Sequence, residues 1–218
     1  MIDVVMIGGS GLVGKKAAAR LAALDDVNLT SFVRHPPRAR YERQLSFEAL
    51  LRNGREVLGI DRADVAISCL GSTMRQAGSK SAFRRIDFDY VHAFARAARR
   101  FGARQFILVS SVGATRSTSN FYLSVKGEVE AMVARLDFER VDVIRPGLLI
   151  GTRHEVRLGE RLASYAMPLV HPLLRGRHAR YRATRSDTVA RAIVDLVCAG
   201  TPGRFLYENP QLDLVADR

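Results

Sequence analysis

Apolar and polar positions alternate between two periods along most of this chain. Ile2–Ile7 is a short, β-branched apolar run that leads straight into glycines, the pattern of a buried strand entering a tight turn. Residues 12–24 then switch to helical spacing, with Val13, Ala17 and Leu21 on one face. Val27–Val33 reads as a second strand, and 64–69, Gln105–Val109 and 141–144 as three more. Between them, residues 81–101 carry a stripe of Ile86, Tyr90, Phe94 and Ala97, and 121–136 carry Val125, Val129 and Val133. Strands that alternate with helices imply a mainly parallel sheet with helices on both faces, because parallel neighbours need crossover connections. The predicted fold is therefore α/β, a doubly wound sheet of Rossmann type.

Two stretches depart from this rhythm. Residues 41–59 suggest a short strand at 45–47 followed by a helix. Beyond Gly147 come an Arg- and Gly-rich loop, an apolar segment at 158–174 broken by Pro168 and Pro172, a helix at 187–198 and a last strand at 204–207. This tail, residues 148–218, is expected to form a small substrate-side cap beside the sheet. At 218 residues the chain suits one domain that buries roughly 70% of its unfolded surface, with little room for a second.

No apolar run approaches the roughly 20 residues that span a bilayer, and the first residues lack the basic and apolar regions of a signal peptide. The expectation is a cytoplasmic protein with no membrane partner. Cys69 and Cys198 form no CxxC pair or metal-ligand cluster and are read as buried thiols. The net charge of +12 raises nucleic-acid binding, but the arginines are spread along the chain and no nucleic-acid motif accompanies them. Surface charge plus a few arginines directed at an anionic cofactor accounts for the excess better.

The chemistry begins at residues 8–14. Gly9-x-Gly11-x-x-Gly14 satisfies the GxGxxG fingerprint and Gly8-x-x-Gly11-x-x-Gly14 the related GxxGxxG spacing. Glycine is needed at the turn, where backbone approaches a pyrophosphate, and where helix meets strand, with the helix N-terminus facing the anion. A lone GxGxxG is weak evidence; its place between a β-branched strand and a helix is what strengthens it. Roughly 20 residues further on, where an NAD site places a carboxylate on the ribose, the second strand ends in Arg34, followed by His35 and Arg38. Arginine pairs with a 2′-phosphate, so NADP(H) is expected over NAD(H); a guanidinium that stacks on adenine or points to solvent would leave the preference weak.

Tyr122 and Lys126 form a YxxxK pair whose i, i+4 spacing puts both side chains on one helix face. Carbonyl reduction needs a phenol that donates its proton near neutral pH, and a neighbouring ammonium favours the phenolate. Ser110 and Ser111 close the strand Gln105–Val109, at the carboxyl end where open parallel sheets bind ligands. Ser111 is the choice for the hydroxyl that orients the substrate carbonyl, with Ser110 as the alternative. An exposed tyrosine beside a solvated lysine is the plainer reading of YxxxK; its position after a Ser-Ser strand end, in a chain with this loop, argues for function.

Together these residues carry a resemblance. The loop 8–14, Cys69-Leu70-Gly71-Ser72-Thr73, Val109-Ser110-Ser111-Val112-Gly113-Ala114, the stretch 120–130 around Tyr122 and Lys126, and Arg145-Pro146-Gly147 resemble the atypical, NAD(P)-binding short-chain dehydrogenase/reductases, in the branch of the human Tat-interacting protein. The resemblance implies that Ser10, Gly11, Leu12 and Val13 line the pyrophosphate, Arg34 the 2′-phosphate, Leu70 and Gly71 the adenosine side, and Leu149 the nicotinamide, with Arg157 a further cofactor contact. Lys126 would also hold the nicotinamide ribose. Two departures stand out: the segment after the Arg-Pro-Gly turn is shorter than the substrate domain of extended members, and Asp87 stands where many relatives place an asparagine.

The expected function is thus an oxidoreductase that moves a hydride between NADP(H) and an unidentified small carbonyl or alcohol, with Ser111, Tyr122 and Lys126 as catalytic residues. A cofactor-binding regulator with little turnover, and a nucleotide-sugar epimerase or dehydratase, use the same residues and stay open. The helices around Phe94 and Val129 serve either a homodimer interface or packing on their own sheet.

Overall fold

The computed structural model describes residues 1–150, 176–197 and 199–216. Seven parallel strands form one twisted sheet: β1 (Ile2–Ile7), β2 (Val27–Val33), β3 (Glu42–Gln44), β4 (Val65–Ser68), β5 (Gln105–Val109), β6 (Arg140–Ile144) and an edge strand, Gly203–Tyr207. Their spatial order is β3-β2-β1-β4-β5-β6 and then the edge strand, so the chain reverses direction across the sheet between β1 and β4. At such a switch point the loops after the two strands part and leave a crevice at their carboxyl ends.

One face of the sheet is covered by α1 (Gly14–Leu21) and the helix Ser186–Val197, the other by α2 (Phe47–Asn53), the helix Tyr90–Arg100 and the helix Phe121–Val133. The second face holds an aromatic core in which Phe94 meets Phe32 and Phe106, and Phe106 meets Phe138. Phe94 and Val129 are buried in this core and pack on the chain's own sheet, while Ile86 and Tyr90 of the first stripe are half-buried.

Three expectations change. The short strand lies at Glu42–Gln44, not at 45–47: Ser46 accepts a hydrogen bond from the Ala49 amide and caps α2, which takes Phe47 into the helix. The helix at 81–101 is not continuous α-helix. Residues Lys80–Arg84 are α-helical, Arg85–Asp89 form a π turn, and α-helix resumes at Tyr90. The extra residue in the π turn shifts the inward face, so Asp87 rather than Ile86 is buried there.

The last strand is no part of a separate cap. Gly203–Tyr207 adds to the main sheet beside β6, in the register Arg140↔Gly203 to Ile144↔Tyr207. A polar cluster fixes it there, in which Asp142 takes both nitrogens of an Arg140 fork, the Tyr207 hydroxyl and the Gln105 amide. The Arg140 guanidinium also lies 4.1 Å from the centre of the Phe205 ring. The apolar segment 158–174, Arg157 and Cys198 lie outside the described residues.

Candidate active site

The glycine loop is shaped by backbone contacts. Gly8 has φ +80°, and a Cβ there would sit 2.4 Å from the backbone of Cys69 and Leu70 at the end of β4. The Gly11 amide donates to the Gly8 carbonyl at 3.0 Å and closes the turn. A Cβ on Gly14 would come 2.1 Å from that same carbonyl oxygen, so helix and loop touch at van der Waals distance. No side chain caps α1, and its Lys15 and Lys16 amides turn back onto the Gly11 and Val13 carbonyls at 3.0 and 3.1 Å, which leaves an anion to the turn just ahead of the helix. The backbone cradle that a pyrophosphate requires is therefore present.

A cleft of about 160 Å³ lies beside this loop. It is lined by Gly11, Leu12 and Val13, by Leu70 and Gly71 after β4, by Tyr122 and Lys126, and by Leu149. Ser10 is exposed at the loop's crest, while Gly8 and Gly14 support it from behind. Arg34 is exposed just beyond the end of β2, and among the described residues its guanidinium has no partner. A larger cavity of about 440 Å³ opens at the opposite, amino edge of the sheet, around Arg62, Arg104 and Pro202. Open parallel sheets bind their ligands at the carboxyl edge, which favours the smaller cleft.

The cleft is bordered by Ser110, not by Ser111. The Ser110 hydroxyl donates to Glu130, which also accepts from Arg145 at 2.9 Å. Among the described residues the Ser111 hydroxyl reaches the Val112 carbonyl alone, at 3.5 Å. One serine thus has the position and the other the more weakly held proton. Cys69, Ser72, Thr73 and Val109 also line the cleft and were missed. Their signals are adjacency to the ends of β4 and β5 and membership of the two stretches, 69–73 and 109–114, that carry the family resemblance. Cys69 is partly rather than fully buried, and burial pushes its thiol up to about 12.

Tyr122 and Lys126 both reach the cleft from Phe121–Val133, a helix capped by Asn120, whose side chain accepts from the Leu123 amide at 3.1 Å. The Tyr122 ring packs on Phe83, with centroids 5.6 Å apart. Lys126 is buried, and its ammonium lies 2.8 Å from Asp87 Oδ1. Asp87 Oδ2 accepts from both the amide and the hydroxyl of Ser72, at 2.8 and 2.7 Å. Burial alone would pull the Lys126 ammonium down; the Asp87 carboxylate, with Tyr122 and Glu130, more than offsets that and holds it above the ordinary lysine range. A Cβ on Gly71 would meet Lys126 Nζ at 3.3 Å, so that glycine leaves the ammonium its room.

A parallel sheet with a switch point, a glycine loop at the head of α1 and a polar cleft beside them define a Rossmann-type dinucleotide site. The chain belongs to the NAD(P)H-binding family, whose model matches residues 8–149. It is similar to Protein HTATIP2 of Rattus norvegicus, 41% identical over 233 aligned residues that cover 95% of this chain and 86% of the rat protein. It is also 31% identical to "Protein fmp52, mitochondrial" of Emericella nidulans, over 89% of this chain and 87% of the fungal one. Among solved structures, human epimerase family protein SDR39U1 (isoform2) with NADPH superposes with a TM-score of 0.67 at 18% identity, covering 96% of this chain and 75% of that one. UDP-glucose 4-epimerase from Bifidobacterium longum gives 0.69 at 12% identity, covering 94% and 77%. At these identities the two structures establish the shared fold.

The fungal relatives correct one expectation. Several are named as mitochondrial proteins, which overturns a purely cytoplasmic location inferred from the first residues. No helix among the described residues is long and apolar enough to cross a membrane.

Proposed function

We propose that the protein is an NADP(H)-dependent oxidoreductase acting on a small carbonyl or alcohol. The observation that carries this reading is that Tyr122 and Lys126 share one cleft with the glycine loop, with Lys126 held as a buried ammonium. The backbone of the turn at Gly11, Leu12 and Val13 would take the pyrophosphate, Leu70 and Gly71 the adenosine side, and Leu149 the nicotinamide end. When bound, NADPH supplies the hydride. Tyr122 gives its phenolic proton to the carbonyl oxygen, Lys126 presents a positive charge one helical turn away and holds the ribose, and Ser111 or Ser110 orients the oxygen.

The exposed Arg34, without a partner among the described residues, supports NADP(H) over NAD(H), since its guanidinium suits a 2′-phosphate and would gain little from a ribose hydroxyl. Arg34→Ala is expected to weaken NADPH binding by about ten-fold to a hundred-fold, the worth of one charge-assisted pair, and to leave NADH binding nearly unchanged. Competitive displacement of a fluorescent nucleotide checks this. Equal losses for both cofactors would remove Arg34 from the 2′-phosphate.

Turnover is tested by following NADPH oxidation at 340 nm over a panel of aldehydes, ketones and quinones. Tyr122→Phe is expected to reduce any activity found by about a hundred-fold or more, the usual worth of a general acid, while NADPH affinity stays within a few-fold of wild type. Tight NADPH binding without turnover over the whole panel would favour the regulatory reading.

A further inference from the structure

The ion pair behind the cleft has a role of its own. Asp87 is fully buried at the π turn Arg85–Asp89, and its Oδ1 touches only Lys126, while Ser72 occupies Oδ2 through two hydrogen bonds. π turns tend to occur at functional sites, where they aim a side chain that regular helix would turn away. Here the turn aims a carboxylate at the lysine that lines the dinucleotide cleft.

We propose that Asp87 is a positioning residue that keeps the Lys126 side chain charged and fixed at the cleft, so that cofactor binding through Lys126 holds from neutral into alkaline pH. This rests on the reading of the cleft as the cofactor site. The physical need is clear from the burial. An ammonium removed from water without a counter-ion sheds its proton readily, and a lysine that has lost it offers the ribose a weaker donor and no charge. The other titratable groups around Lys126 do not replace Asp87. Tyr122, on the same helix, adds to the hold on the ammonium but ranks behind Asp87. Glu130 is engaged by Ser110 and by Arg145, which is itself shared with Glu208. Cys69, at the end of β4, keeps its proton throughout the range, its thiol pushed up to about 12 by burial. The raised ammonium of Lys126, with Asp87 the leading charge behind it, agrees with the geometry.

The test is calorimetric titration of wild type, Asp87→Asn and Asp87→Glu with NADPH at pH 7 and pH 9. Wild type is expected to bind alike at both. Asp87→Asn should bind within a few-fold of wild type at pH 7 and about ten-fold more weakly at pH 9, as a buried ammonium without a partner loses its proton. Asp87→Glu, which restores the carboxylate, should remove most of that pH dependence. Parallel behaviour of Asp87→Asn and wild type at both pH values would overturn the proposal. If Asp87→Asn fails to fold, nitrogen-15 NMR of Lys126 in wild type, assigned with Lys126→Arg, decides the matter: a slowly exchanging ammonium at about pH 9 supports the role, and an amine overturns it. No NADPH binding by wild type would defeat the cofactor reading instead, and the NMR titration would still judge the ion pair.

Discussion

Gly14→Ala is expected to lower dinucleotide affinity by about a hundred-fold or more, the scale on which displacing a binding element by about 1 Å acts. The added methyl carbon would lie 2.1 Å from the Gly8 carbonyl oxygen, 2.9 Å from the Gly8 carbonyl carbon and 3.1 Å from Gly9 Cα. All three are backbone atoms, so no side chain can swing away to relieve the contact. The loop 8–14 must move off the head of α1, and the amides proposed to meet the pyrophosphate move with it. The fold itself should survive, because overpacking of this kind costs about 1–3 kcal/mol. Gly200→Ala is the control: a Cβ there meets nothing within 4 Å, and binding should match wild type. Calorimetry with NADPH, alongside thermal unfolding, separates loss of the site from loss of the protein.

Asp142→Ala carries the largest expected cost in stability, about 3–5 kcal/mol, the penalty for leaving a buried charge without its partner. Asp142 is fully buried and accepts hydrogen bonds from Arg140, Gln105 and Tyr207. Removing it leaves the Arg140 guanidinium beside Phe205 with, among the described residues, only the Thr201 carbonyl and the Tyr207 hydroxyl as partners, and takes the counter-charge from beneath the ladder that joins the edge strand to β6. Urea unfolding should show a lower midpoint, while the folded fraction still binds NADPH, since the cluster lies far along the sheet from the glycine loop. The paired replacement Arg140→Met with Asp142→Leu should recover much of the loss by removing both charges together. The same cluster makes the fold sensitive to alkali. Burial, and then the Asp142 charge, push the Tyr207 phenol from 10 up to about 12. Its protonated form is therefore favoured in the folded chain. That contribution is complete below about pH 10 and is lost as pH rises through about 12. In Asp142→Ala this alkaline decline should be shallower.

The parts of the site that are local in sequence were readable from it. The glycine spacing, Arg34 at the end of a strand, and Tyr122 and Lys126 one helical turn apart each follow from a few neighbouring residues, and the structure gathers most of them around one cleft. What escaped depends on contacts across the chain. The partnership of Asp87 with Lys126 exists only because a π turn rotates Asp87 inward, and a stripe of apolar residues at regular helical spacing gives no sign of that extra residue. The choice between Ser110 and Ser111 turns on Glu130, twenty residues beyond Ser110, which takes the Ser110 proton. The last strand pairs with β6 over Arg140 to Ile144, which brings Phe205 and Tyr207 to Arg140 and Asp142, an approach across 65 residues that no local pattern announces. Ser46 is the exception, since a serine ahead of a helical run is itself a local capping signal.

The most direct test of the account is titration of the purified, cofactor-free protein with NADPH and NADH by calorimetry. The account predicts saturable NADPH binding at about micromolar concentration, in the range where enzymes of this size of task operate, and NADH binding weaker by about ten-fold or more, as a lost contact between Arg34 and a 2′-phosphate requires. Binding of neither nucleotide at millimolar concentration would contradict it, and with it the assignment of the loop 8–14 as a pyrophosphate cradle.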